Sequence, residues 1–179
     1  KWTDQGRITH SPELYERLAA TGWLGLTIPE EYGGTGGRLR DVAILLERLS
    51  YHRLPIAGYL TTAITEQALI RYGTEEQKRA VLPRLATGSI MSIAITEPDT
   101  GSDAASIRTS ARRDGDGWRI NGQKMYTTNA NPADWVLVVA RSDPAAERHE
   151  AITLFLLPMD RAGISFTRLD MLGHTDTNV

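Results

Sequence analysis

Cysteine is absent from this 179-residue chain, which excludes a disulfide framework, a thiolate metal site and a cysteine nucleophile. Lysine is nearly absent as well, with only Lys1, Lys78 and Lys124, and the remaining basic residues are scattered arginines. No basic stripe is interleaved with aromatics, so no nucleic-acid partner is expected. No apolar run is long enough to span a bilayer, and the first residues show no basic stretch leading into an apolar core. Neither a membrane partner nor a secretory leader is therefore expected. The four histidines, His10, His52, His149 and His174, never fall at i, i+4 spacing, which argues against a metal site. A Gly-x-Ser-x-Gly elbow is missing, so Ser102 and Asp103 do not read as parts of a hydrolase, and Asp103 reads as a turn or cap residue. Internal repeats and low-complexity tracts are missing too. What remains, a net charge of −2 and an apolar fraction of 41%, is an ordinary globular composition. The chain opens on Lys1 without a methionine and closes on Val179 without a cap. It is expected to be a piece of a longer polypeptide.

Two periodicities divide the sequence. Ser11-Pro12 is an N-cap followed by proline at the first helical position, where its missing N–H costs nothing, and Leu14, Tyr15, Leu18 and Ala19 follow as an apolar stripe. The pattern predicts helices over about 11–20, 38–51, 56–72 and 75–85, the last closing around Leu82-Pro83. Thr74-Glu-Glu-Gln77 is a capping-box signature for the fourth. Short connections make these helices antiparallel neighbours in a small bundle. After Gly88 the period becomes two. Strands are expected from Ile90, over Ser106 to Arg113, after the turn Asp114-Gly-Asp-Gly117, and over Lys124 to Thr128, Trp135 to Arg141, Ala151 to Pro158 and Ile164 to Arg168. Asn121-Gly122 predicts a further hairpin turn. Strands this short suggest a barrel or sandwich without a parallel βαβ unit. The glycine run Gly33-Gly-Thr-Gly-Gly37 lacks the Lys-Ser/Thr of a phosphate loop and is expected to be a flexible turn.

The densest chemistry lies in Ile95-Thr-Glu-Pro-Asp-Thr-Gly-Ser-Asp103, where a strand breaks at Pro98 into a turn of small and hydroxylated residues. Gly101 lets a polar ligand approach the backbone without a Cβ in the way. Such a turn alone is an anion-nest candidate. Asn121-Gly-Gln-Lys-Met-Tyr-Thr-Thr-Asn129 follows it.

These two segments, with Gly25-Leu-Thr-Ile-Pro-Glu-Glu-Tyr-Gly-Gly34, Tyr72-Gly-Thr-Glu-Glu-Gln-Lys78 and Trp135 to Asp143, occur in the order of the acyl-CoA dehydrogenase flavoproteins. From about Trp23 to its end the chain resembles that family. The resemblance implies a helical bundle over 1–88 and a middle β-barrel domain over 89–179, truncated at its C-terminal end. It implies FAD held by Ile93, Ile95, Thr96, Gly101, Ser102, Tyr126, Thr127 and Thr128, with Ser102 also reaching toward the thioester substrate. In that scheme Tyr126 packs on the flavin ring and Thr128 hydrogen-bonds near N5. The implied reaction oxidises an acyl-CoA to the 2,3-enoyl-CoA, as in fatty-acid β-oxidation, in a cytoplasmic bacterial dimer or tetramer served by an electron-transfer flavoprotein. Asp99-Thr100 and Tyr126 depart from the family's usual small pair and tryptophan, and Asp99 is expected to face solvent or cap the turn. The family's catalytic glutamate matches no residue here, so no catalytic residue is assigned. A flavin oxidase or monooxygenase of the same fold, and a non-catalytic partner subunit, are the alternatives.

Overall fold

The structure, a computed structural model, describes residues 10–169 and 177–178. Its helices are α1 (Pro12–Ala20), α2 (Leu39–Tyr51), α3 (Ala57–Tyr72) and α4 (Glu75–Ala86), as the apolar periodicity predicts. The caps form as well. Leu14 N donates to Ser11 Oγ (3.4 Å), while Gln77 N donates to Thr74 Oγ1 (3.2 Å) and Thr74 N to Gln77 Oε1 (2.9 Å). Helix α4 does not stop at Pro83. It runs on to Ala86, where Thr87 Oγ1 donates back to Pro83 O (3.1 Å). No helix among the described residues is long and apolar enough to cross a membrane.

The glycine run before α2 is not the flexible turn expected of it. Its amides are laced to the preceding segment: Gly34 N to Pro29 O, Thr35 N to Gly25 O, Gly36 N to Ile28 O and Gly37 N to Leu26 O. Glycine is needed for this packing, because a Cβ on Gly34 would lie 2.0 Å from Ile28 O.

The β half consists of β1 (Met91–Ala94), β2 (Ser110–Asp114), β3 (Gly117–Asn121), β4 (Thr127–Thr128), β5 (Trp135–Arg141), β6 (Ile152–Pro158), β7 (Arg168–Leu169) and β8 (Thr177–Asn178). The expected barrel is not closed. Five strands form an open sheet in which β5 pairs with β1, β2 and β6, and β2 pairs with β3, while β4, β8 and β7 form a separate three-stranded sheet. A cavity of about 380 Å³ remains between the face carrying Val136, Val138 and Leu157 and residues 163–167. Strands β1 and β5 are parallel, Met91 opposite Trp135, and the crossover between them holds β-strands and turns instead of an α-helix.

Asn121-Gly122 does not form the expected hairpin. The β2–β3 hairpin turns at Gly115-Asp116, Ser110 pairs with Asn121, and the chain then runs on toward β4. Gly122 instead serves a close approach, since a Cβ there would sit 2.7 Å from Thr109 Cα. The strand expected over 124–128 shrinks to β4, and that over 164–168 to β7 beginning at Arg168. The start of the strand expected at Ser106 is a 3-10 turn, Ala104–Ser106.

Two apolar clusters join the halves. One packs α1, α2 and α3 side chains, among them Leu14, Leu18, Val42 and Tyr59, against Ile90 and Ala133. The other packs Ile28, Leu69, Leu82 and Leu85 against Met91 and Leu137. Helix α3 also serves the unpaired side of β1. Met91 N donates to Thr62 Oγ1 (3.0 Å), and Thr65 Oγ1 donates to Met91 O (3.2 Å).

Candidate functional site

Strand β1 delivers Ile95 and Thr96 to the rim of the sheet, and Lys124-Met125 comes alongside. Met125 N donates to Thr96 O (2.8 Å). Lys124 Nζ donates to Ile95 O and to Glu97 Oε1, both at 2.9 Å. Glu97 is 6% exposed, and the Lys124 side chain 10%, so this is a buried ion pair. The Glu97 carboxylate also accepts from Arg108 N (2.6 Å) and Thr109 N (2.9 Å). Burial works to raise its pKa, but the hydrogen bonds from Thr109, Arg108 and Lys124 outweigh burial and hold it at about 2. Burial likewise draws the Lys124 ammonium below its ordinary value, against the support of Glu97.

Glu97 then starts a tight turn. Its N–H donates to Thr100 O (2.8 Å), and Thr100 N donates back to Glu97 O (3.1 Å). Asp99 at the tip is exposed and meets Arg108 at 3.1 Å, which is the solvent-facing position expected of it. Asp103 stands at the N-cap position of the 3-10 turn and accepts from Ser106 Oγ. Gly101 and Ser102 lie between, both exposed, and nothing stands within 4 Å of where a Gly101 Cβ would be.

On the second segment, Tyr126 takes a left-handed backbone (φ 56°) and is 55% exposed. A non-glycine residue in that region is costly enough to suggest a functional constraint. Thr127 is buried and lines the cavity together with Ala94. Thr128 is half-buried, and its carbonyl accepts from Ser92 Oγ of β1 (2.7 Å). Asn129 is fully buried, again left-handed (φ 58°), and its side-chain amide has no hydrogen-bond partner among the described residues.

The structure thus brings Ile95 and Thr96 beside the segment carrying Tyr126, Thr127 and Thr128. It does not put every predicted residue on one face. Ile93 packs against the Ile28–Leu82 cluster, Thr127 turns to the cavity, and no hydrogen bond ties Gly101 or Ser102 to the second segment. The side-chain hydroxyls of Thr96, Ser102 and Thr128 make no hydrogen bond within the described residues. Together with the exposed Tyr126 and the open space at Gly101, they fit a ligand that needs hydroxyl donors and an aromatic wall.

Two buried charged groups, one in this region and one on α3, have no role in the sequence reading. Lys124 could have been singled out, being the only lysine beyond Lys78. Glu66 carried a signal too, since it falls on the apolar stripe of α3 with Thr62, Ala63 and Leu69. It is 1% exposed. Thr27 Oγ1 donates to Glu66 Oε1 (2.5 Å) and accepts from Gln67 Nε2 (2.9 Å). Glu66 Oε2 has no partner among the described residues. Burial pushes this carboxyl up to about 7, only partly opposed by the Thr27 bond.

Comparison with known proteins finds the same family on both halves. The domain described as acyl-CoA dehydrogenase, N-terminal domain, matches residues 1–89, and that described as acyl-CoA dehydrogenase, middle domain, matches residues 92–179. An acyl-CoA dehydrogenase of Mycobacterium tuberculosis is 38% identical over 164 residues, covering 90% of this chain and 42% of that protein. The crystal structure of an acyl-CoA dehydrogenase from Geobacillus kaustophilus superposes with a TM-score of 0.86 at 34% identity, covering 99% of this chain and 48% of that one. A glutaryl-CoA dehydrogenase from Mycobacterium smegmatis, solved in complex with FADH2, superposes with a TM-score of 0.81 at 32% identity, covering 99% and 45%. The chain spans less than half the length of each of these relatives.

Proposed function

The chain belongs to the acyl-CoA dehydrogenase family, and on that premise we propose that it supplies the helical and middle β portions of an FAD-dependent acyl-CoA dehydrogenase. The reaction is oxidation of an acyl-CoA thioester to the 2,3-enoyl-CoA. The observation that carries this reading is the joining of two separate segments at one rim, Met125 N to Thr96 O, beside an exposed Tyr126.

FAD, when bound, supplies the hydride acceptor. Ile95 and Thr96 would meet its pyrimidine side through main chain and hydroxyl. Gly101 and Ser102 would meet the ribityl–pyrophosphate portion, with Ser102 also reaching the thioester. Tyr126 would cover the ring and exclude water, and Thr128 would donate toward its reactive edge, where hydrogen bonds to developing charge are most effective. Ile93 and Thr127 would support that face from behind, Ile93 through the helical cluster and Thr127 from the cavity side.

Neither of the two perturbed carboxyls suits the role of general base. Glu97 is held at about 2 and fully engaged. Glu66 titrates at about 7 but is sealed behind Thr27. A base must come within hydrogen-bond reach of the proton it removes. Membership of the family implies a glutamate base, and completion of the FAD site, outside this chain. An electron-transfer flavoprotein as electron acceptor and a homo-oligomeric assembly belong to the same reading.

Titration of the full-length apoprotein with FAD, followed by anaerobic addition of acyl-CoA thioesters, tests it. The expected result is a yellow protein whose flavin bleaches on adding substrate and is reoxidised faster by an electron-transfer flavoprotein than by dioxygen. A protein that takes up no FAD refutes the proposal, and faster reoxidation by dioxygen makes it an oxidase of the same fold.

A further inference from the structure

The two segments of the FAD face belong to different sheets. Strand β1, which leads into Ile95-Thr96, pairs with β5, while β4, which follows Tyr126, pairs with β8. No strand ladder therefore sets the offset between them. The ties from 92–97 to 124–128 include the Ser92–Thr128 bond, the Met125–Thr96 bond and the two bonds of Lys124.

We propose that the Glu97–Lys124 pair is the positioning device of the FAD face, holding Ile95-Thr96 at the offset from Tyr126–Thr128 that the isoalloxazine ring requires. The inference rests on the flavin reading above. Glu97 is fixed first: its two oxygens take the amides of Arg108 and Thr109, so the carboxylate cannot swing. Lys124 then spans from that anchor to the carbonyl of Ile95, itself an expected flavin contact, while its own backbone leads within two residues to Tyr126. The ammonium therefore fixes both segments to one point. An apolar pair would fill the same space without direction. A buried ion pair is a poor source of stability but can select one arrangement over its neighbours. The left-handed turn at Tyr126 makes that selection necessary, since a small slip at Lys124 would re-aim the ring.

The test uses the full-length protein with Lys124→Met and the paired Glu97→Gln/Lys124→Met, which leaves no lone buried charge. Its readouts are the FAD dissociation constant of the apoprotein, the positions of the bound flavin's absorption bands, and circular dichroism of the apoprotein. Both variants should keep their secondary structure, bind FAD about ten-fold more weakly or worse, as when only about a tenth of the protein holds the competent offset, and show displaced flavin bands. Lys124→Arg, whose guanidinium can extend into the adjoining cavity and still reach both acceptors, should recover most of the affinity. A folded paired variant with wild-type affinity and bands overturns the proposal. So does loss of the fold in the paired variant, which would assign the pair to the domain as a whole. A wild-type protein that takes up no FAD refutes the flavin reading itself, a separate outcome.

Discussion

Replacing Glu66 by glutamine should make the protein more stable at neutral pH and leave it little changed in acid. Glutamine keeps the shape and the acceptor for Thr27 Oγ1, and it removes the charge. The folded-state carboxyl titrates at about 7 against an ordinary value of 4.5. Its folded pKa therefore lies above the unfolded one, so the wild-type contribution is fully present below 4.5 and is lost as pH rises through about 7. A difference of two to three units is worth about 3 kcal/mol, at 1.36 kcal/mol per unit. With only 1% of the residue exposed, little of that is screened by solvent. Urea unfolding of both proteins at a series of pH values isolates the effect, because every other titrating group is common to the two. The gap between the variant and the wild type should widen by about 3 kcal/mol between pH 4 and pH 8, a shift in melting temperature of roughly 10 °C for a chain of this size. Parallel stability curves over that range would show that Glu66 titrates alike folded and unfolded, and the burial argument would be wrong.

Three further outcomes are expected. Gly34→Ala should cost about 3 kcal/mol, the upper range for overpacking, because the new Cβ would meet Ile28 O at 2.0 Å; an unchanged unfolding midpoint would contradict the laced loop. Thr128→Val in the full-length protein should slow flavin reduction by acyl-CoA roughly ten-fold at full FAD content, and an unaltered single-turnover rate would make Thr128 an ordinary strand residue. The Glu97 carboxyl, held at about 2, contributes stability that is complete above 4.5 and lost as pH falls through 2. Its carbon resonance should move only below about pH 3, and a midpoint near 4.5 would mean that the hydrogen bonds from Thr109, Arg108 and Lys124 do not hold it in solution.

The helical half could be read from local signals because local interactions build it. Ser11-Pro12, the Thr74–Gln77 box and the i, i+3, i+4 stripes act within a few residues, and all four helices fall where those signals put them. The β half depends on partners far along the chain. Nothing near Met91 announces that Trp135 will lie beside it in parallel. Asn121-Gly122 looks like a turn locally, yet the glycine is there so that the strand end can pass against Thr109. The site divides in the same way. The residues of both segments are expected from order and type, whereas the Glu97–Lys124 pair between the segments is revealed only by the fold. Ile93 and Thr127, part of the same segments in sequence, meet the helical cluster and the cavity, an orientation that only the fold reveals.

The parallel pairing of β1 with β5 also sets an order of assembly. Every predicted flavin contact except Ile93 lies in residues 95–134, the loop which that pairing closes. Contacts so distant in sequence form late, because the chain entropy of closure must be met before the strands reward it. Helices α1 to α4 can begin to collapse as they leave the ribosome, but β1 must wait until Trp135–Arg141 has emerged. Until then the Thr96 and Tyr126 segments are two ends of an open loop, so a cofactor met early in synthesis would find no rim to bind.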